Sequence, residues 1–278
     1  MPELPEVEVV RRGLDTHVLE RTVESVEVFN PRAIRKHLPG AKDFAESISG
    51  NKVVATHRRG KYLWLELDSH DGLVVHLGMS GQLLVQTKDA QLEKHARVVM
   101  QLSDGNQLRF VDQRTFGHMF LSRDGGGDPP EIAHIARDPL ADDFDLAVTI
   151  KDIQRRRSGI KRVLLDQRVI SGIGNIYADE ALWAAKIYYD QSAETLSTQQ
   201  IRTLIKEVTK VMNRALKQGG TSFDALYVNV NGESGYFDRS LNAYGQETEP
   251  CSRCGTPIRR DKFMGRSSFW CPNCQPPA

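Results

Sequence analysis

The chain has 278 residues, of which 40% are hydrophobic and 26% charged, and its formal net charge at pH 7 is +1. That length is long for a single core and predicts two domains, or two and a small module, while the composition is that of an ordinary globular protein rather than a disordered or fibrous one. No stretch approaches the roughly 18 apolar residues of a membrane span, and an acidic N-terminus without an apolar run predicts no secretory signal and a cytosolic protein.

The chain opens Met1-Pro2-Glu3-Leu4-Pro5-Glu6. Once Met1 is removed, a secondary amine stands beside a carboxylate. A free α-amine has a reference pKa of about 7.7 to 8.0, so roughly a tenth is unprotonated at neutral pH, far more than for lysine. Proline's adduct with an aldehyde-like carbon is an iminium that cannot lose its charge from nitrogen, so it acts as an electron sink. Glu3 is near enough to move protons. The plainer reading is a terminus that permits methionine removal.

Pro5 suits the first turn of a helix, with Val7, Val10 and Leu14 following at helical spacing and Gly13 weakening the continuation. From 22 to 121 short apolar or alternating runs take over, such as 52–57, 62–67, 73–77, 97–102 and 107–111. Gly and Asp punctuate them, which predicts a β-sandwich or barrel. Lys61 follows a glycine turn and opens a strand, where it could reach a phosphate or a leaving group. Met79, in His76-Leu77-Gly78-Met79-Ser80-Gly81, is either core or an exposed wedge. Arg114 and Phe116 lie two apart and share a side if extended, a pairing that suits base contact and intercalation.

Residues 123–145 are acidic, rich in Gly and Pro and without periodicity, as in a linker. Beyond them helices dominate. The clearest begins at Ser197, where Gln200 completes a capping box, runs through Ile201, Leu204, Ile205, Val208, Val211, Met212 and Ala215, and stops at Gly219-Gly220. Six basic residues against one acid in 155–168, and five against one in 253–266, make this half the nucleic-acid half. Between helical patterns, Ser171-Gly172-Ile173-Gly174-Asn175-Ile176 lets backbone amides approach an anion at a helix N-terminus, or is a bare turn.

All four cysteines fall in the last 28 residues, as Cys251-x-x-Cys254, sixteen residues, then Cys271-x-x-Cys274. Two such knuckles predict one tetrahedral, structural zinc ion rather than disulfides or a redox pair. The segment has too few apolar residues to fold without metal. The basic stretch between the knuckles reads as the tip of a two-stranded ribbon offering donors to a phosphate, or as a polar turn.

Taken together, Pro2-Glu3-Leu4-Pro5-Glu6, Gly60-Lys61-Tyr62-Leu63, His76-Leu77-Gly78-Met79-Ser80-Gly81, Gly172-Ile173-Gly174-Asn175-Ile176-Tyr177 and the four-cysteine ribbon resemble the bacterial formamidopyrimidine-DNA glycosylase family across essentially the whole chain. The resemblance implies an α+β multidomain fold: a β-sandwich with an N-terminal helix (1–132), a linker (133–150), a helix-two-turn-helix domain (151–244) and a C-terminal zinc ribbon (245–278). It implies a monomer that binds double-stranded DNA containing oxidised purines in the cleft between its halves, with no membrane partner. It further implies that Pro2 attacks C1′ of an extruded nucleotide, that Glu3 is the acid on the opening sugar, and that β,δ-elimination cuts the strand. By motif match Lys61, Asn175 and Arg266 hold phosphates flanking the lesion, with Lys161 a further DNA-binding candidate. Met79, Arg114 and Phe116 fill the vacated space and address the orphaned base. The chain departs from the family at Asp112-Gln113-Arg114-Thr115-Phe116-Gly117, where many members have Pro-Arg-Arg-Phe, and in the loop 227–236 expected to close over the flipped base. The readings that compete are an endonuclease VIII-like enzyme acting on oxidised pyrimidines, and a zinc-containing DNA-binding module without catalysis.

Overall fold

A computed structural model describes residues 2–220, 230–231 and 240–277. The chain forms two compact units, one from 1–134 with 218–236 and the other from 135–217 with 237–278.

The first unit is a β-sandwich capped by helices. Helix α1 (Leu4–His17) starts as the proline-led pattern predicts, with Glu3 as N-cap and Glu6 closing a capping box. Eight strands follow: β1 (Val23–Val28), β2 (Val53–Arg59), β3 (Tyr62–Leu67), β4 (Gly72–His76), β5 (Gly81–Thr87), β6 (Ala96–Leu102), β7 (Asn106–Asp112) and β8 (His118–Ser122), with helix α2 (Ala41–Ile48) between β1 and β2. They make two antiparallel sheets in the orders β1-β6-β7-β5 and β2-β3-β4-β8. Alternation decides which side chains fill the space between them. Leu63, Leu65 and Leu67 of β3, Leu73 and Val75 of β4, Val98, Met100 and Leu102 of β6, and Leu108 and Phe110 of β7 share one core with Val7 and Leu14 of α1. Trp64, on the other face of β3, stacks on His57 and donates to the Gly126 carbonyl.

Helix α1 passes through Gly13 instead of weakening there, and the reason is a close approach. A Cβ at Gly13 would stand 2.6 Å from a Val230 methyl. Val230 is buried in the sandwich core and its carbonyl accepts from Val85 N at 2.9 Å on β5. The segment after the last long helix thus returns to the first unit. Apart from Val230 and Asn231, the loop 227–236 lies outside the described residues.

The second unit contains α3 (Leu146–Gln154), α4 (Ile160–Leu164), α5 (Asn175–Ala185) and α6 (Thr198–Lys217), then a ribbon of β9 (Arg259–Phe263) and β10 (Arg266–Trp270). Helix α3 begins inside the stretch expected to be linker, because Asp145 caps it by accepting from Val148 N at 2.9 Å. The capping box of α6 forms as the sequence predicts: Gln200 N donates to Ser197 Oγ at 3.2 Å and Ser197 N to Gln200 Oε1 at 2.9 Å. All seven of its predicted apolar positions are buried. Helix α5 has no such stripe; Ile176 to Leu182 are buried in an unbroken run, which makes it the central helix of this unit.

Candidate active site and nucleic-acid interface

In the first unit Pro2 and Glu3 are buried at the start of α1. Glu3 N donates to Glu6 Oε2 at 2.9 Å, so the terminal turn is held by its own side chains. Lys61 is also buried and lies in the turn between β2 and β3. One residue couples that turn to the helix. Glu8 accepts from Arg58 Nε at 3.0 Å, and Arg58 also donates to the Gly60 carbonyl at 3.2 Å. Arg11 and Arg12 bond the same carboxylate. Burial pushes the Glu8 pKa up, but the bonds and charges of Arg11, Arg58 and Arg12 outweigh it and hold the group at about 2.

Met79, Arg114 and Phe116 project from two adjoining turns and are all exposed, Met79 at 36% and Phe116 at 44%. The turns touch at Gly78, where φ is 65° and a Cβ would lie 2.3 Å from Gly117 N. Only glycine combines that dihedral with that approach. Residues 113–116 are not extended, so the condition under which Arg114 and Phe116 would share a side by alternation is not met. The Asp112 carboxylate, fully buried, accepts from Gly117 N at 2.7 Å, Arg114 N at 3.2 Å and Ser80 Oγ at 2.5 Å, which folds the segment into a turn with Thr115 at φ 53°. Arg114 and Phe116 still meet, the guanidinium carbon 5.2 Å from the ring centroid. A cation-π contact of this kind braces both side chains.

Sequence reasoning missed the group beneath this turn. Arg35 donates to the Phe116 carbonyl at 2.8 Å and the Gly117 carbonyl at 2.6 Å, and Arg32 donates to the Thr115 carbonyl at 3.3 Å. No local motif marks them. His76, at the end of β4, accepts from Gly78 N through Nδ1 at 3.1 Å. Burial, helped by the charges of His118 and Lys61, brings its pKa down to about 3, so the neutral ring that this bond needs is the stable form.

The second unit gathers its candidates around β10. Asn175, the first residue of α5, donates from Nδ2 to the Ser267 carbonyl at 3.0 Å, and Lys161 Nζ donates to the same oxygen at 3.0 Å. Asp179, one turn along α5, accepts from Phe269 N at 3.0 Å and Ser268 Oγ at 3.2 Å. The strand that begins with the exposed Arg266 is therefore clamped over three consecutive residues. Lys161, the further DNA-binding candidate, is enclosed by the fold. Its side chain is 0% exposed and pairs with Asp179 at 2.7 Å, with Phe263 against its ammonium. A group enclosed in this way braces the ribbon. Burial pushes Asp179 up to about 6 against the pull of Lys161. Glu180, also missed from sequence, accepts from the backbone N–H groups of Asn242, Ala243 and Tyr244 and fixes the approach to the ribbon.

Cys251, Cys254, Cys271 and Cys274 converge with all four Sγ atoms within 4.8 Å of one another. A tetrahedral zinc with Zn–S bonds of about 2.3 Å requires S–S edges of about 3.8 Å. The Cys254–Cys271 and Cys254–Cys274 separations of 3.5 and 3.6 Å fit it. Trp183 Nε1 donates to Cys251 Sγ at 3.4 Å, a hydrogen bond that stabilises thiolate charge. Four thiolates leave no open coordination position, so the ion's part is structural.

Residues 1–119 match the formamidopyrimidine-DNA glycosylase N-terminal domain, 135–225 its H2TH domain, and 249–277 the zinc finger found in FPG and IleRS. The chain is 59% identical to the formamidopyrimidine-DNA glycosylase of Rhodococcus jostii, covering 99% of this chain and 96% of the relative. Among solved structures it resembles the Lactococcus lactis enzyme in complex with Fapy-dG-containing DNA, with a TM-score of 0.87, 33% identity, 99% of this chain and 100% of that one. A MutM complex with DNA containing carbocyclic 8-oxo-G gives a TM-score of 0.88 at 34% identity and the same coverage. Family domains covering both units, together with identity of this level over nearly the whole length, mean that the chain belongs to the formamidopyrimidine-DNA glycosylase family.

Proposed function

We propose that this protein is a bifunctional DNA glycosylase and AP lyase that removes 8-oxoguanine and formamidopyrimidines from DNA. The observation that carries the reading is end-to-end membership of the family with Pro2 and Glu3 intact at the head of α1. The Pro2 nitrogen attacks C1′ of an extruded nucleotide, the glycosidic bond breaks, and the damaged base departs with a proton. Glu3 protonates the sugar ring oxygen as the ring opens, leaving an iminium between Pro2 and C1′. That cation acidifies C2′, so loss of the C2′ proton expels the 3′ phosphate, and a second elimination expels the 5′ phosphate. Hydrolysis of the imine then frees Pro2.

Lys61 in the first unit and Asn175 and Arg266 in the second hold phosphates next to the lesion. Arg266 is exposed at the ribbon tip on a strand anchored at Ser267, Ser268 and Phe269, which suits a donor that must keep its place. Met79, Arg114 and Phe116 enter the space the base vacates and meet its partner. No described helix is long and apolar enough to cross a membrane, and genomic DNA as substrate argues for work in the cytoplasm, at the nucleoid.

Borohydride trapping tests the chemistry. The protein with Met1 removed, as checked by intact mass, is expected to form a covalent adduct with a duplex carrying 8-oxoguanine, and protein retaining Met1 to form none. No adduct from the processed protein would favour the non-catalytic DNA-binding module. On matched duplexes excision of 8-oxoguanine is expected to exceed that of thymine glycol; the reverse order would assign the protein to oxidised pyrimidines.

A further inference from the structure

The second unit contains a cavity of about 380 Å³ that none of the preceding chemistry uses. Arg156, Ser158, Arg162, Asp166, Arg168 and Met264 line it, over a floor of aliphatic side chains. It is thus walled by the end of α3, by α4, by the turn after α4 and by the ribbon tip. Three guanidinium groups face one carboxylate, and that carboxylate is committed. Asp166 holds Arg168 through Nε and Nη2, each at 3.0 Å, which fixes the guanidinium and leaves Nη1 available. Arg156 and Arg162 are exposed, and among the described residues neither has an ion-pair partner. Like charges gathered round a concave wall focus a positive potential into it. Asp166 is close enough to feel the charge of Arg156 as well as that of Arg168, but one carboxylate among three guanidinium groups leaves an excess of positive charge.

We infer that this cavity takes a phosphodiester of the bound DNA strand, beyond the phosphates held by Lys61, Asn175 and Arg266. Guanidinium forks and the Ser158 hydroxyl match phosphate oxygens, and the aliphatic floor with Met264 suits the apolar face of a deoxyribose. Met264 stands two residues before Arg266 on the same hairpin, so a strand held by Arg266 continues along this wall. The inference rests on the DNA-binding reading above and adds a contact that carries affinity without reading sequence.

The test is the salt dependence of duplex binding by the zinc-loaded protein, followed by fluorescence anisotropy. Arg162 is exposed on α4 and its side chain makes no ion pair with another described residue, so Arg162→Gln is expected to keep the melting temperature. Loss of one phosphate contact lowers the slope of log K against log salt by about 0.9 and weakens binding roughly 3- to 10-fold. The loss should be equal for damaged and undamaged duplexes. Arg162→Lys should restore the slope, and Arg202→Gln, an exposed arginine of α6 outside the cavity, should not move it. A wild-type slope in Arg162→Gln overturns the site while leaving the DNA reading standing. Wild-type protein with no salt-dependent affinity for duplex removes that reading, and this site with it.

Discussion

Lys161 and Asp179 meet at 2.7 Å with neither side chain exposed, and each also holds backbone of β10. Removing one charge of such a pair strands the other in a medium that solvates it poorly. Lys161→Met is therefore expected to cost on the order of 3–5 kcal/mol of stability, and Lys161→Met with Asp179→Leu to recover part of that loss; thermal denaturation of the three proteins checks it. A lysine that touched DNA instead would leave the melting temperature in place and change only the salt slope of binding. The basic run of 155–168 thus contains residues of two kinds. Lys161 is turned into the fold, whereas Arg162 and Arg168 are turned out.

At the level of elements, β4 and the turn after it depend on histidines kept neutral. Burial is the first cause for both: His76 is brought down to about 3 and His118 to about 4, from an ordinary 6.5. A histidine whose folded pKa lies below its unfolded value costs stability in the window between them, because there the unfolded chain binds the extra proton. Stability should accordingly fall as pH drops from about 6.5 towards 4, by about 1.4 kcal/mol per pH unit for each such group. Below about 4.5 Glu8 adds to the fall. Its folded pKa of about 2 lies below the ordinary value of 4.5, so its contribution is full above 4.5 and disappears as pH falls through 2. Urea denaturation across this range should show a shallower pH dependence between 4 and 6.5 for His76→Gln, with the acid limb due to Glu8 unchanged.

On the scale of the molecule, each unit has its own source of stability. The first buries a sandwich core. The ribbon of the second has only a small apolar cluster, around Ala243, Ile258 and Phe269 beside two of the cysteines, and needs its metal. Chelating the zinc is expected to melt the ribbon, release β10 from Asn175, Lys161 and Asp179, and abolish duplex binding. The sandwich transition should persist in calorimetry. Loss of both transitions at once would show that the units do not melt independently.

Much of this protein is legible locally. Cysteine spacing marks the zinc ribbon, Ser197 and Gln200 mark the start of α6, and period-two alternation marks strands such as β3, because each of these patterns is closed by neighbours in sequence. The order of the motifs identifies the family for the same reason. What the chain alone could not reveal depends on partners far apart along it. Arg35 reaches Gly117 across 82 residues. Val230 returns to fill the space that Gly13 leaves open on α1. Buried Asp112 curls the segment that carries Arg114 and Phe116. Whether a lysine faces solvent or a carboxylate is likewise decided by packing, which is why the internal brace that Lys161 forms with Asp179 was not legible in sequence. Sequence by itself determined the metal site and the family and suggested the chemistry proposed for the terminus; tertiary structure decided which charged side chains stay at the surface, since burial is a property of the assembled core.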